Sequence, residues 1–415
     1  MSTTEQLFAA DGTPLRRKLA QSLMQSRLRA FGLVFPLLAL IFVAFVTPIT
    51  LMLWQGVYDD RFSSLMPNSS ETLGDWDGHS EPTEAMAASL VLDLIKTRED
   101  RTIGKVATRV NRELSGARSL LTSTAREAKI MEAPFLSALI LEDKEWADIE
   151  IWRAMKVASK TYTVGYIANA LDMKITVDGE LARQDEGRRI HIKLFLRTLE
   201  ISLVVTIACL LLGYPVAYLL ASLPLRTSNL LLILVLMPFW TSLLVRTTAW
   251  IAMLQSQGVM NDLFVAFGLT TDDMRFSLIY NKVGTLIAMT HIMLPFMILP
   301  LFSVMKTISP SYVRAAKSMG ATNWTAFWKV YFPQSVPGIG AGVLLVFILA
   351  IGYYITPALV GGQEGQMISN IIDFHMRSSL NWNLAAALGL VLLIFVLFLF
   401  WLYDRIVGID NMKLG

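Results

Sequence analysis

Residues 313–333 read VRAAKSMGATNWTAFWKVYFP, a basic, small-residue segment set between two long apolar runs at 283–305 and 339–360. No Asp or Glu occurs from Lys306 to Gly338, whereas Lys306, Arg314, Lys317 and Lys329 do. Ala315, Ala316 and Gly320 are small enough to let another backbone approach closely. A helix in this segment is expected to stop at Pro333, because proline offers no N–H to the helical ladder. Taken alone, the residues also fit an ordinary turn between two membrane helices.

Working outward, a helix needs about 20 apolar residues to cross the hydrocarbon core. Six runs qualify: 30–54, 199–221, 229–254, 283–305, 339–360 and 384–403. The composition agrees. A chain of 415 residues that is 54% hydrophobic, with mean hydropathy +0.51, is too apolar for a soluble domain of that size. The expected fold class is an all-α membrane protein of six transmembrane helices, with a large, mostly helical insert between the first two. Its parts are a basic N-terminal tail at 1–29, a first span at 30–54, an insert at 55–195, a core at 196–407 that includes the polar loop 306–338, and a tail at 408–415.

Lys and Arg beside spans are retained on the cytoplasmic face. Arg16, Arg17, Lys18, Arg27 and Arg29 precede the first span, and the basic loop follows the fourth, whereas Asp262, Asp272, Asp273, Glu364 and Asp373 fall in the opposite loops. Both termini are therefore expected inside and the insert outside. The first span is too long for a signal-peptide core and is expected to remain as an anchor. Residues 14–29 read as a basic amphipathic stretch suited to anionic lipid.

A net charge of +3 hides an uneven distribution, since most of the acidic residues lie between Asp59 and Glu186. In that insert, helical periodicity is readable at 84–98, 104–129 and 141–160. Residues 174–180 carry a hairpin-like signal, and 66–82 read as loop. Its acidic surface fits either a docking face or plain solvation. Cys209 is the single cysteine, so no disulfide can form within the chain.

Within the spans, Pro48, Pro215, Pro238, Pro295, Pro300 and Pro357 each free a backbone carbonyl that a neighbour or a wet cavity must satisfy. Arg246 is costly in an apolar span unless it faces protein, water or the interface. It fits a snorkelling anchor beside Trp250 or a gate beside a translocation path. Thr206, Tyr214, Tyr218, Trp240, Thr247, Tyr353, Tyr354 and Thr356 are further candidates to line such a path. Aromatic faces attract cations, and membrane helices also use Trp and Tyr as interfacial belts.

Enzyme signatures are missing. No G-x-x-x-x-G-K-[ST] phosphate loop occurs, so this chain is not expected to hydrolyse ATP. His79, His191, His291 and His375 are scattered without metal-ligand spacing, and neither G-x-S-x-G nor H-E-x-x-H is present. Neither a metal nor a catalytic residue is expected.

The spacing of Ala315, Ala316, Gly320, Val330 and Pro333 matches the EAA loop of permease subunits in bacterial ABC importers: two Ala, then Gly, then an aliphatic residue and Pro. The family's acidic first position is Arg314 in this chain. From about residue 199 onward the chain also resembles the larger-type permease of spermidine/putrescine ABC importers. TLEISLVVTIACLLLGYPVAYLLA (198–221), LMPFWTSLLVRTTAWIAMLQSQGVMN (236–261), LPFMILPLFSVM (294–305) and FILAIGYYITPALVGG (347–362) carry that resemblance in order. The insert is longer than that family usually carries.

The resemblance implies a type I importer permease in the bacterial inner membrane. It would work with a dimer of ABC ATPases, a second permease in a mixed pair and a periplasmic solute-binding protein, within the lipid bilayer and with no nucleic acid. ATP and Mg would be used by the partner ATPase, and no cofactor would be bound by this chain. Arg314, Ala315, Ala316, Gly320, Val330 and Pro333 would form the coupling loop. The solute implied is a polyamine; relatives importing opines or other organic solutes look the same at this level. A membrane sensor would need a signalling region after the second span, where only 222–228 intervene, and a secondary carrier would be expected to show inverted repeats or ionisable residues at mid-membrane.

Overall fold

Between Leu15 and Trp54 the chain is helical throughout, with Leu15–Ile41 and Thr47–Trp54 joined by a π turn at Phe42–Val46. Its described side chains are almost all exposed, Leu33 to 83%, as suits a helix whose solvent is lipid. The computed structural model describes residues 15–176 and 178–407. Residues 1–14 of the expected N-terminal tail and the expected tail at 408–415 lie outside the described residues. The chain forms two units, Met1–Gln55 and Gly56–Gly415. In the first, the helix runs unbroken through 15–29, so the described part of the amphipathic stretch is an extension of the span helix. The π turn sits just ahead of Pro48, where a missing N–H and a bulky ring would otherwise strain the ladder.

The second unit opens with the insert, built from Pro67–Asp75, Glu84–Glu99, Ile103–Asn111, Ala117–Glu127, Phe135–Glu142, Ile149–Ser159 and Gly165–Ala170. These helices enclose a core in which Trp146 and Trp152 meet edge to face, 5.5 Å between centroids. Both indole N–H groups are satisfied, Trp146 donating to Thr124 Oγ1 at 2.9 Å and Trp152 to the Trp146 carbonyl at 3.0 Å.

Three insert expectations are corrected. The loop expected at 66–82 contains the Pro67–Asp75 helix, because buried Asp93 accepts from Ser69 N, Ser69 Oγ and Asn68 Nδ2 at 2.7–2.8 Å and closes the helix N-terminus from outside the segment. The helix expected at 104–129 breaks at Gly116, whose φ is +97°. The helix expected at 141–160 is cut at Asp143 and Asp148, whose carboxylates cap the turns that follow. The hairpin signal at 174–180 corresponds to Met173–Ile175 paired antiparallel with Leu181–Arg183, with most of the signal in the turn.

Among the described residues five helices are long and apolar enough to cross a membrane, or six if one bent pair counts as a span. The second span (His191–Ser222), the fourth (Lys282–Thr307) and the fifth (Phe332–Ile351) share the main core, including Ile201, Val205, Met293, Met297, Leu301 and Val346. A Cβ on Gly342 would lie 2.7 Å from Met297 Sδ, so glycine sets how closely the fourth and fifth spans pack. The insert is seated on the ends of the bundle. Tyr166 and Ala170 pack with Leu194 of the second span and Leu384 and Leu388 of the sixth (Trp382–Val407). Asp172 caps the second span by accepting from His191 N at 3.0 Å and Ile192 N at 2.9 Å.

The bundle departs from straight spans at three proline-containing places. The third, expected to run straight over 229–254, is a pair of helices, Leu225–Trp240 and Leu243–Ala266, bent by 94°. Pro238 lies in the 3-10 turn before the bend, and Ser242 caps the new helix through Val245 N. The fifth, expected over 339–360, ends at Ile351 and resumes as the short helix Ile355–Val360. Pro333 does not stop a helix. A π turn at Phe327–Tyr331 absorbs it, and the helix runs through from Asn323 to Ile351.

Candidate coupling loop and translocation site

The polar segment after the fourth span folds as a helix, Pro310–Ser318, with Pro310 in its first turn and Ser309 as its cap. It ends in a Schellman turn. Ala321 N donates to Ala316 O and Gly320 N to Lys317 O, both at 3.0 Å, and Gly320 has φ +92°. The smallness of Gly320 therefore has a backbone cause that residue size alone did not disclose. Nothing lies within 4 Å of where its Cβ would be. Ala316 is buried at 7% exposure, whereas Arg314, Ala315 and Gly320 are exposed. Around them stand Tyr312, Met319, Trp324 and Trp328, apolar side chains left uncovered. Pro333 is also exposed, and Val330 is half-buried.

Two i,i+4 aromatic pairs lock this loop to the second span. Tyr218 meets Tyr331 at 5.1 Å and Phe327 at 5.8 Å, and Tyr214 meets Phe327 at 6.3 Å while its hydroxyl bonds Ser335 Oγ at 2.9 Å. Tyr214 thus packs against the candidate coupling loop, away from the contacts that Arg246 makes. Phe327, Tyr331 and Ser335 were missed by sequence reasoning, although FWKVY carries the i,i+4 signal. Lys306 ties the same end, donating to Ala221 O at 3.2 Å and Leu223 O at 3.4 Å.

The bend of the third span and the break of the fifth form a second site. Thr247 and Thr356 are fully buried and face one another, with hydroxyl oxygens 3.3 Å apart. Arg246, one residue earlier, is half-buried. It donates to the Thr241 carbonyl at 3.3 Å, and its buried Nε has no hydrogen-bond partner among the described residues. Trp250 Nε1 donates to His291 Nδ1 at 3.1 Å. At the break Ser369 Oγ (2.7 Å) donates to the Tyr353 carbonyl, and Asn370 Nδ2 (2.8 Å) donates to the Tyr354 carbonyl, which also accepts from Ala358 N at 3.0 Å as the first bond of the Ile355–Val360 helix. Backbone polar groups at membrane depth require such partners. Tyr354 also accepts from Arg377 through its hydroxyl. Trp240 stands apart at 72% exposure, and Thr206 is spent on the Ser202 carbonyl of its own helix. No Asp or Glu occurs in 201–261 or 283–363. Within the apolar runs 201–221, 229–254, 283–305 and 339–360 the chain offers carbonyls, hydroxyls, rings and the Arg246 cation.

Residues 211–408 match the family model described as binding-protein-dependent transport system inner membrane component. The spermidine/putrescine transport system permease protein PotB of Escherichia coli (strain K12) is 31% identical over 244 residues, covering 58% of this chain and 87% of that protein. PotB of Haemophilus influenzae is 32% identical over 216 residues, covering 52% and 75%. A bacterial alginate ABC transporter, solved in complex with an alginate pentasaccharide-bound periplasmic protein, aligns with a TM-score of 0.47 at 18% identity over 55% of this chain and 81% of that one.

Proposed function

The chain belongs to the binding-protein-dependent transport system inner membrane components, the permeases of ABC importers, and from that premise we propose that it helps form the path of a polyamine importer, carrying spermidine or putrescine. The observation that carries this reading is the 31% identity to PotB over 87% of that protein's length. Both termini lie in the cytoplasm and the insert faces the periplasm, where a loaded binding protein docks. A second permease in a mixed pair completes the path, and two copies of an ATPase subunit supply the energy. The Pro310–Ser318 helix, with its exposed apolar rim, receives the ATPase's motion. The interlocked Tyr214, Tyr218, Phe327 and Tyr331 carry it into the second and fifth spans. Arg246, Thr247, Tyr353, Tyr354 and Thr356 act where those movements open and close the path. Trp240 stands at the rim of that region.

One observation favours a different solute for the same importer, an opine or another small organic compound: 201–261 and 283–363 carry no carboxylate to meet a polycation. Uptake of labelled spermidine by cells expressing the complete importer tests both readings. Spermidine-dependent uptake that putrescine competes with is expected; uptake competed only by opines selects the alternative. In the same assay Arg246→Ala is expected to lower uptake about tenfold, the size of one lost charge-assisted contact. Unchanged uptake by correctly inserted Arg246→Ala protein would remove Arg246 from the path and leave it as an anchor.

A further inference from the structure

The insert encloses a cleft of about 610 Å³ between its helices, its hairpin and the head of the sixth span, within the volume range of small-molecule sites. A charged junction closes one side of it. Asp59, 1% exposed at its side chain, receives Arg61 on both oxygens at 2.7 and 2.6 Å, and Arg109 Nε lies 3.2 Å away. Arg109 also holds Glu113 at 2.6 Å. Arg112 comes last. It reaches Asp59 only at 3.7 Å, and otherwise donates to the Tyr166 hydroxyl at 3.1 Å with its guanidinium over that ring. Arg61, Arg109 and Arg112 thus face two carboxylates, which leaves one positive charge in excess at a place where the Arg112 side chain is only 13% exposed. Burial accordingly pushes the Arg112 guanidinium below its ordinary pKa.

Elsewhere along the cleft Arg153 pairs with Glu150 at 2.7 Å and Lys174 with Asp185 at 3.1 Å, His79 Nε2 lies 2.7 Å from Asp178 Oδ1, and Arg188 adds a further guanidinium to the lining. Gln184 lines the same cleft and is 5% exposed, its backbone N–H donating to the Asp172 carbonyl at 3.0 Å. A buried cation lacking its counter-charge is costly.

We propose that the cleft binds a small carboxylate-bearing solute, its carboxylate on Arg112 and a second polar group on Gln184, at a site separate from the membrane path. A carboxylate accepts two parallel N–H bonds from a guanidinium. Since Tyr166 also packs on Leu384 and Leu388 of the sixth span, occupancy stiffens the joint between insert and bundle.

Calorimetric titration of the full-length protein in lipid nanodiscs with succinate, L-glutamate and inorganic phosphate tests the site. Saturable binding of succinate or glutamate is expected, weakened about tenfold or more by Arg112→Gln and by Gln184→Leu. Arg112→Gln removes the surplus charge, so its thermal midpoint without ligand is expected to equal or exceed that of the parent. Gln184→Leu reports on the cleft without touching the charges. Absence of carboxylate binding at millimolar concentration, binding that neither substitution weakens, or tighter binding of phosphate than of either carboxylate would overturn the proposal.

Discussion

Gly320→Glu is expected to abolish uptake while the protein still reaches the membrane at its usual level. Gly320 closes the Pro310–Ser318 helix with φ +92°, and open space surrounds its Cβ position. A Cβ there meets no other atom within 4 Å. The internal penalty of glutamate is the left-handed backbone, about 1 kcal/mol, with a smaller one for an anion at a helix C-terminus. Neither unfolds a membrane bundle. Outside the chain, the substitution adds a carboxylate to the segment that exposes Tyr312, Met319, Trp324 and Trp328, where burying an unpaired charge against a partner costs several kcal/mol. Gly320→Asn separates the two causes, since asparagine tolerates the left-handed conformation and adds no charge. Uptake is expected to survive in Gly320→Asn and to fall at least about tenfold in Gly320→Glu. Equal loss in both would place the effect in the helix cap, and equal uptake in both would take this loop out of the coupling path.

The second large effect is expected at Asp59. Asp59→Ala leaves Arg61, Arg109 and Arg112 with Glu113 as the one carboxylate among them. Stranding buried charge in this way costs about 3–5 kcal/mol. The insert is expected to lose protease resistance and thermal stability while the spans remain in the membrane. The same group sets a pH dependence. Burial pushes the Asp59 carboxyl up, but the bonds from Arg61 and Tyr166 and the charges of Arg109 and Arg61 outweigh it and hold the carboxyl below its usual range. A carboxyl depressed on folding stabilises above its unfolded pKa, about 3.9, and that contribution is lost as pH falls through the folded value. Insert stability from this source is therefore complete at neutral pH and declines only below about pH 4. Thermal melts of the insert across that range check it. An Asp59→Asn protein with an undiminished acid-range decline would show that other carboxyls cause it.

Much of this architecture is legible in the sequence because one long-range variable, apolar run length, dominates helices in lipid. The six runs follow from it, and the helices of the insert follow from their three- and four-residue periodicity. The bent and broken spans do not, since run length is blind to direction. Pro238 with Ser242 turns the third span by 94°, and the fifth stops at Ile351 with the Tyr353 carbonyl beyond it caught by Ser369, a residue further along the chain. The Pro67–Asp75 helix was hidden for the same reason, its cap being Asp93. Pro333 misled in the other direction, because a π turn can absorb a proline that local rules read as a stop. At the candidate sites, residue type drew Tyr214 and Arg246 into one set. Only packing showed that Tyr214 joins Ser335 and the loop aromatics, while Thr247 and Thr356 meet beside Arg246. The buried surplus of guanidinium at Asp59 was invisible, since Asp59 and Arg61 lie far along the sequence from the stretch that carries Arg109 and Arg112.

The central claim is that this chain is the permease of a polyamine importer. ATPase activity of the reconstituted complex, containing both permeases, the ATPase dimer and the binding protein in lipid, tests it most directly. The account predicts stimulation when spermidine or putrescine loads the binding protein, and loss of that stimulation with Gly320→Glu in this chain. Stimulation by an opine or an amino acid, with none by either polyamine, would contradict it.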